Sequence, residues 1–203
     1  MERLRLGTDE GAVARGAEVL RSGGLVVYPT ETLYALGANA LDAEAVARVY
    51  KIKKRPLGKP LSIAVSSLEM LHRYAYLDEK AQRLAGRFLP GPLTLVLRKK
   101  DLPEILTSGL PKVGVRIPAD HRALELIERF GKPVTATSAN ITEEIPPITV
   151  EEVLEQLTGV DLILDGGPLD PSRVPSTIVD MVGEPKVLRE GRIKREELEA
   201  FLG

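Results

Sequence analysis

Gly24-Leu25-Val26-Val27-Tyr28-Pro29-Thr30-Glu31-Thr32 is the stretch on which the fold class turns. Leu25 to Tyr28 is a short, continuous apolar run, which reads as a buried strand. Pro29 ends it, and a hydroxyl-rich loop runs from Thr30 to Gly37. Before it, Glu10 to Leu20 carries apolar positions at helical spacing, and Ser22-Gly23-Gly24 stops the helix. A helix feeding a buried strand that ends in a polar loop is the unit of an open α/β sheet, which collects ligands at its strand ends.

Working outward, the alternation continues. Asp42 is placed to cap a helix through Ala45, Val46, Val49 and Ile52, and Pro56 disfavours helix at Arg55. Pro60 to Val65 reads as a strand, Ser67 caps a helix containing Leu68, Leu71 and His72, and another helix runs from Asp78 to Phe88. Leu93 to Leu97 is nearly all apolar, so both its faces are covered. Val113, Val115 and Ile117 alternate with Gly114 and Arg116, as in a half-buried strand. Ala119 to Phe130 is a helix, Val134 to Thr137 a strand ending in Ser138-Ala139-Asn140, and Val150 to Leu157 a helix capped by Thr149. Leu162 to Leu164, Thr177 to Met181 and Pro185 to Leu188 are short strands, and Glu196 to Leu202 is a closing helix. This interleaving predicts an α/β sheet with helices on it, with antiparallel pairs near the end. No repeat or linker divides residues 1–203, and the loop from Gly166 to Pro175 is too short to separate domains, so a single domain is expected.

With 203 residues, 43 % of them apolar, the chain can bury a core of its own. No apolar run approaches the roughly 20 residues that cross a bilayer. Met1-Glu2-Arg3-Leu4-Arg5 lacks the apolar stretch of a secretory signal, so a cytoplasmic location is expected. The absence of cysteine excludes disulfides, thiolate metal sites and cysteine nucleophiles. Charge is balanced, with 28 Lys plus Arg against 29 Asp plus Glu. Yet Lys51, Lys53, Lys54, Arg55 and Lys59 crowd one point, which suits a compact anion better than a long nucleic acid. The plain alternative is a solvated helix terminus whose cations complement the helix dipole.

No Walker sequence and no G-x-G-x-x-G after a strand is present, so a triphosphate here must be held by side-chain cations. Arginine brings a planar fork to phosphate oxygens and lysine a point charge. Pro29-Thr30-Glu31-Thr32 either orients a polar substrate or closes a turn on its own backbone. Thr137-Ser138-Ala139-Asn140 is either an ordinary loop or a source of donors to phosphate and ribose oxygens. Arg116 either faces solvent from an exposed sheet or grips a carboxylate in a cavity. His72 and His121 lack metal-ligand spacing.

Several segments in order resemble the YrdC family, also called TsaC, of threonylcarbamoyl-AMP synthases. They are Gly24-Leu25-Val26-Val27-Tyr28-Pro29-Thr30-Glu31-Thr32-Leu33-Tyr34-Ala35-Leu36-Gly37, Lys51-Ile52-Lys53-Lys54-Arg55-Pro56 and Pro60-Leu61. Pro90-Gly91-Pro92-Leu93-Thr94, Val115-Arg116-Ile117-Pro118, Ser138-Ala139-Asn140 and Pro175-Ser176-Thr177-Ile178-Val179-Asp180 complete the set. The resemblance implies a YrdC-like fold, a twisted open sheet of parallel and antiparallel strands with flanking helices around a large concave cavity. It implies a nucleotidyltransferase that converts L-threonine, bicarbonate or carbon dioxide, and ATP with Mg²⁺ into threonylcarbamoyl-adenylate and pyrophosphate. The product would feed the downstream threonylcarbamoyl-transferase machinery that modifies tRNA.

The family's K-x-R and S-x-N signature falls on Lys53, Arg55, Ser138 and Asn140, implied to be catalytic. Thr32, Arg116, Ala136 and Ser176 are implied to face threonine. Arg55, Lys59, Ser138 and Arg189 are implied to face ATP, with Lys51 and Lys53 near its phosphates. No metal ligand follows from the resemblance. Ala64 and Pro146 depart from it, standing where some relatives carry a substrate-contacting histidine and a serine. Longer relatives continue into a second domain beyond the stretch matched here, and local segments or partners are expected to supply any lid in its place.

Two other readings compete. One is a non-catalytic RNA-binding module using the same cations with Arg98, Lys99 and Lys100. Balanced charge and 4 % aromatic content, which leave few stacking platforms, oppose strong RNA binding. The other is a carbamoyl-transfer domain of hydrogenase maturation proteins, opposed by the lack of a zinc-finger or acylphosphatase segment.

Overall fold

The computed structural model describes residues 1–202. The first half of the chain forms β1 (Glu2–Arg5), α1 (Ala12–Arg21), β2 (Val26–Tyr28), β3 (Ala35–Gly37), α2 (Ala43–Ile52), β4 (Ile63–Ala64), α3 (Leu68–Tyr74), β5 (Ala75–Tyr76), α4 (Glu79–Phe88) and β6 (Leu93–Lys99). The second half forms α5 (Glu104–Thr107), β7 (Lys112–Arg116), α6 (His121–Phe130), β8 (Val134–Thr135), β9 (Thr137–Ser138), α7 (Val150–Gln156), β10 (Leu162–Asp165), β11 (Thr177–Asp180), β12 (Lys186–Arg189) and α8 (Arg195–Leu202). The mixed α/β architecture with flanking helices is the one expected.

The strands divide into two sheets. One has the order β1-β10-β2-β3-β9, and the other β12-β11-β6-β7-β4-β8, with β5 added to β6. Both sheets mix parallel and antiparallel pairs, and antiparallel pairing is not confined to the end of the chain: β2 and β3 already pair antiparallel, as do β6 and β7. The predicted strand from Pro60 to Val65 contracts to the two residues of β4.

Local sequence sets the helix starts. Asp42 accepts from the Glu44 and Ala45 amides at 2.9 and 3.2 Å, Ser67 from Met70 at 3.1 Å, and Thr149 from Glu152 at 3.2 Å. Each satisfies amides that have no partner inside the helix. Helix α1 lies on α6 and β10. Gly16 permits that approach, since a Cβ there would sit 2.8 Å from Leu126 Cδ1.

The predicted strand from Val134 to Thr137 is two strands in different sheets. It breaks at Ala136, whose amide donates to Ser62 O at 2.7 Å. β8 pairs with β4 and β9 with β3. Thr135 ties the sheets together at this junction. Its hydroxyl donates to Leu36 O and accepts from the Ala38 amide, both at 3.0 Å. The chain thus crosses from one sheet to the other at Ala136, and the space between them opens beside it.

Candidate active site

A cavity of about 620 Å³ lies at this junction. Its floor is the face of the second sheet that carries Thr94 and Val96 of β6, Lys112, Gly114 and Arg116 of β7, and Ile178 of β11. The register explains the shared face, because Thr94 stands opposite Ile178 and Val96 opposite Gly114. Gly114 keeps the floor open. A Cβ there would lie 2.4 Å from Ser62 Oγ and 3.2 Å from Thr94 Cγ2.

Thr32, Arg55, Lys59, Arg116, Ala136, Ser138, Ser176 and Arg189 all line this cavity. They come from six separate stretches of the chain. Of the alternatives for Arg116, the cavity wall is the one found. Lys51, Lys53 and Asn140 do not line it. Lys51 is exposed on α2. Of Lys51, Lys53, Lys54, Arg55 and Lys59, only Arg55 and Lys59 line the cavity, so Lys51 and Lys53 do not stand on the wall where phosphates were expected.

Lys53 points the other way. Helix α2 ends at Ile52, and the Lys53 side chain turns into the interior, where the residue is 2 % exposed. Its Nζ donates to Ser138 O at 2.5 Å and to Asn140 O at 2.6 Å. It is a strut behind the loop that carries Ser138, placed to set that loop rather than to touch a phosphate. Burial, with the charge of Arg55 adding to it, lowers the Lys53 pKa to about 7, and the two carbonyl acceptors act against this by favouring the protonated form. Asn140 is likewise buried, its amide donating to Ile141 O at 2.7 Å and Glu144 O at 2.8 Å.

The other polar groups are held in specific ways. Thr30 closes its own turn, donating to Leu33 O at 2.8 Å and accepting from the Thr32 and Leu33 amides. The Thr32 hydroxyl is left with Thr30 Oγ1 at 2.9 Å and Arg116 Nη1 at 3.4 Å. Arg189 donates to Ser176 O at 2.8 Å and to Ser176 Oγ at 3.3 Å, and Ser176 Oγ meets Thr94 Oγ1 at 3.0 Å. Arg55 donates to Lys59 O and Pro60 O at 2.9 and 2.8 Å, which folds its loop over the cavity edge. Burial lowers the pKa of Arg55, and burial followed by the charge of Arg116 lowers that of Arg189. Arg55 is half-buried and Arg189 exposed at the cavity edge, so both can meet an anion that enters.

Glu31 and Thr94 escape the sequence reading. Glu31 was visible in the Pro29 to Thr32 loop, where local turn bonding is one alternative. That alternative holds for Thr30 but not for Glu31, which pairs with Arg116 and accepts from the Ala119 amide at 3.0 Å. Thr94 carries nothing in sequence to separate it from a strand residue.

Ala64 and Pro146, the two departures, also line the cavity and add apolar surface there. Among the described residues, no group of three or more His, Cys, Asp or Glu side chains is gathered to hold a metal ion. No helix among them is long and apolar enough to cross a membrane.

Comparison with known proteins gives a consistent result. The domain family Sua5/YciO/YrdC, described as "Telomere recombination", matches residues 18–191. A protein of Pyrococcus abyssi named threonylcarbamoyl-AMP synthase is 44 % identical over 199 residues, covering 96 % of this chain and 58 % of its own length. One of the same name from Bacillus subtilis is 38 % identical, covering 98 % and 58 %. The chain therefore spans less than two thirds of these relatives. The crystal structure of P. abyssi Sua5 complexed with L-threonine superposes with a TM-score of 0.93 at 42 % identity, covering 100 % of this chain and 60 % of that one. On the match to residues 18–191 and these identities, the chain belongs to the Sua5/YciO/YrdC family.

Proposed function

We infer that this chain makes threonylcarbamoyl-adenylate and pyrophosphate from L-threonine, bicarbonate or carbon dioxide, and ATP. The observation that carries the reading is convergence. Thr32, Arg116 and Ser176, assigned to an amino acid, share one cavity with Arg55, Lys59, Ser138 and Arg189, assigned to a nucleotide. The names of the relatives and the threonine held by the Sua5 structure support the same assignment.

The chemistry asks little covalent work of the protein. Threonine's neutral amine adds to carbon dioxide, supplied as such or by loss of water from bicarbonate, and releases a proton to solvent to give a carbamate; a carbamate oxygen attacks the α-phosphorus, and pyrophosphate leaves. Such a reaction is accelerated by holding two anions in line and stabilising the charge that develops between them. Arg116 is placed for the amino-acid carboxylate, with Thr32 and Ser176 offering hydroxyls beside it. Arg55, Lys59 and Arg189 are placed for phosphate oxygens. In this reading Mg²⁺ arrives with ATP as part of the substrate. Seclusion between two sheets shields the mixed anhydride from water. The product would pass to enzymes that modify tRNA, within the cytoplasm.

The test is pyrophosphate release from the complete mixture and from mixtures lacking threonine, bicarbonate or ATP. Only the complete mixture should turn over. Release that ignores threonine overturns the reading.

A further inference from the structure

Beyond the residues assigned to substrates, Glu31 pairs directly with one of them, Arg116. We propose that Glu31 is a positioning residue that fixes the Arg116 guanidinium for the carboxylate of the amino-acid substrate. This rests on the proposed function for the identity of that substrate.

Three observations carry it. First, Glu31 joins two partners far along the chain. Its Oε1 accepts from Arg116 Nη2, and its Oε2 accepts from the Ala119 amide at 3.0 Å. The Ala119 backbone holds the carboxylate, and the carboxylate holds the guanidinium. A side chain merely closing its own turn would bond within the loop, as Thr30 does. Second, Glu31 does not line the cavity, whereas Thr30, Thr32 and Arg116 do. It meets Arg116 from outside the wall, so it does not occupy the place of an incoming ligand. Third, the guanidinium keeps donor capacity. Its Nη2 is committed to Glu31, but Nη1 has only the 3.4 Å contact to Thr32, and the buried Nε has no hydrogen-bond partner among the described residues. A carboxylate arriving at Arg116 therefore finds a cation held at one corner and unsatisfied at the others.

Charge gives Glu31 a second task. Arg116 and Arg189 line the same cavity, and the charge of Arg116 adds to the lowering of the Arg189 pKa. The Arg116 and Glu31 side chains are only 11 % and 19 % exposed, so water does little to weaken the attraction between them. The Glu31 carboxylate compensates one of the two cations, so both stay inside one small site before substrate arrives.

The measurement is calorimetric titration of L-threonine and, separately, of ATP into the native chain, Glu31→Gln, Glu31→Ala, Arg116→Ala and the double variant Glu31→Ala/Arg116→Ala. Glu31→Gln, which keeps the size and one acceptor oxygen, should weaken threonine by about tenfold, and Glu31→Ala by about 30-fold, as for residues that orient a primary ligand. ATP affinity should stay within about twofold in both, which a merely misfolded variant would not allow. The double variant should bind threonine no worse than Arg116→Ala alone, because Glu31 acts only through Arg116. Equal threonine affinity in the native chain and both Glu31 variants overturns this inference alone. So does a double variant in which the two losses add. A parallel loss of ATP affinity also overturns it, since the role would then be general. A native chain that binds no threonine overturns the proposed function, and this inference with it.

Discussion

Two ion pairs, each with its cation on the wall of the same cavity, differ in depth. Arg116 with Glu31 lies inside, with side chains 11 % and 19 % exposed, and the carboxylate is also tied to backbone. Lys59 with Glu143 spans two surface loops at 2.6 Å, with side chains 48 % and 79 % exposed. The buried pair cannot exchange its partners for water, so breaking one side leaves an uncompensated charge. The exposed pair can, and such pairs contribute little to stability. On the proposed function, the amino-acid end of the cavity is built in advance, while the nucleotide end is set by loops that rearrange at small cost. Depth, more than charge, decides what each cation does.

Lys53 is the deepest cation and should give the largest effect. Replacing it with methionine leaves the carbonyls of Ser138 and Asn140 without their donor. At roughly 1–3 kcal/mol for each unsatisfied buried group, a loss of about 3 kcal/mol is expected, or a melting temperature lower by about 10 °C. The size of the loss should depend on pH. The folded Lys53 pKa is lowered to about 7, below that of an unfolded lysine. Between the two values the unfolded chain holds a proton that the folded chain has shed, so native stability climbs as pH rises from about 7 towards 10. Lys53→Met has no such proton, and the gap between the two proteins should widen over that range. Parallel stability curves from chemical denaturation would break the link between burial and titration.

At the cavity itself the two ends should separate cleanly. Arg116→Ala is expected to weaken threonine by about 100-fold and ATP by less than about threefold, as for one partner removed from a buried charge pair. Arg55→Ala should do the opposite, weakening ATP by about tenfold with little effect on threonine. Calorimetry on both ligands checks the order. A reversal would exchange the two ends of the cavity.

How much of this was legible depended on distance along the chain. The caps at Asp42, Ser67 and Thr149 were readable because a cap bonds amides two or three residues ahead. β1 was not, since its polar residues look like a tail until Glu2 meets Leu162 in a parallel pair. The break at Ala136 was hidden because the two strand residues on either side of it, Val134-Thr135 and Thr137-Ser138, read together as one continuous β-prone stretch. At the site, the order of motifs led to eight residues that share a wall. What it could not supply was direction. Lys53 and Arg55 stand two apart in a basic cluster, a spacing that turns them to different sides but does not say which side is buried behind a loop and which edges a cavity. Glu31 was lost for the same reason, with its partners at Arg116 and Ala119.

The smallest effect should come from the exposed pair, and its sign is what matters. Glu143 sits in the left-handed region with φ of 76°, which turns its loop towards Lys59. The hydrogen bond from Lys59 holds the Glu143 carboxyl below its usual range, so the pair stays formed near neutral pH. If Lys59 receives phosphate oxygens, Glu143 competes with them for the same ammonium. Glu143→Gln keeps the length and the backbone geometry and removes the competing charge. ATP should then bind about twofold more tightly at low salt, and the gain should vanish by about 0.5 M salt, because an exposed interaction of this kind is screened. Threonine affinity should not move. A weaker ATP affinity in Glu143→Gln would mean that the carboxylate places Lys59 for the nucleotide, as Glu31 is proposed to place Arg116, and the contrast between a fixed end and an adjustable end would fall.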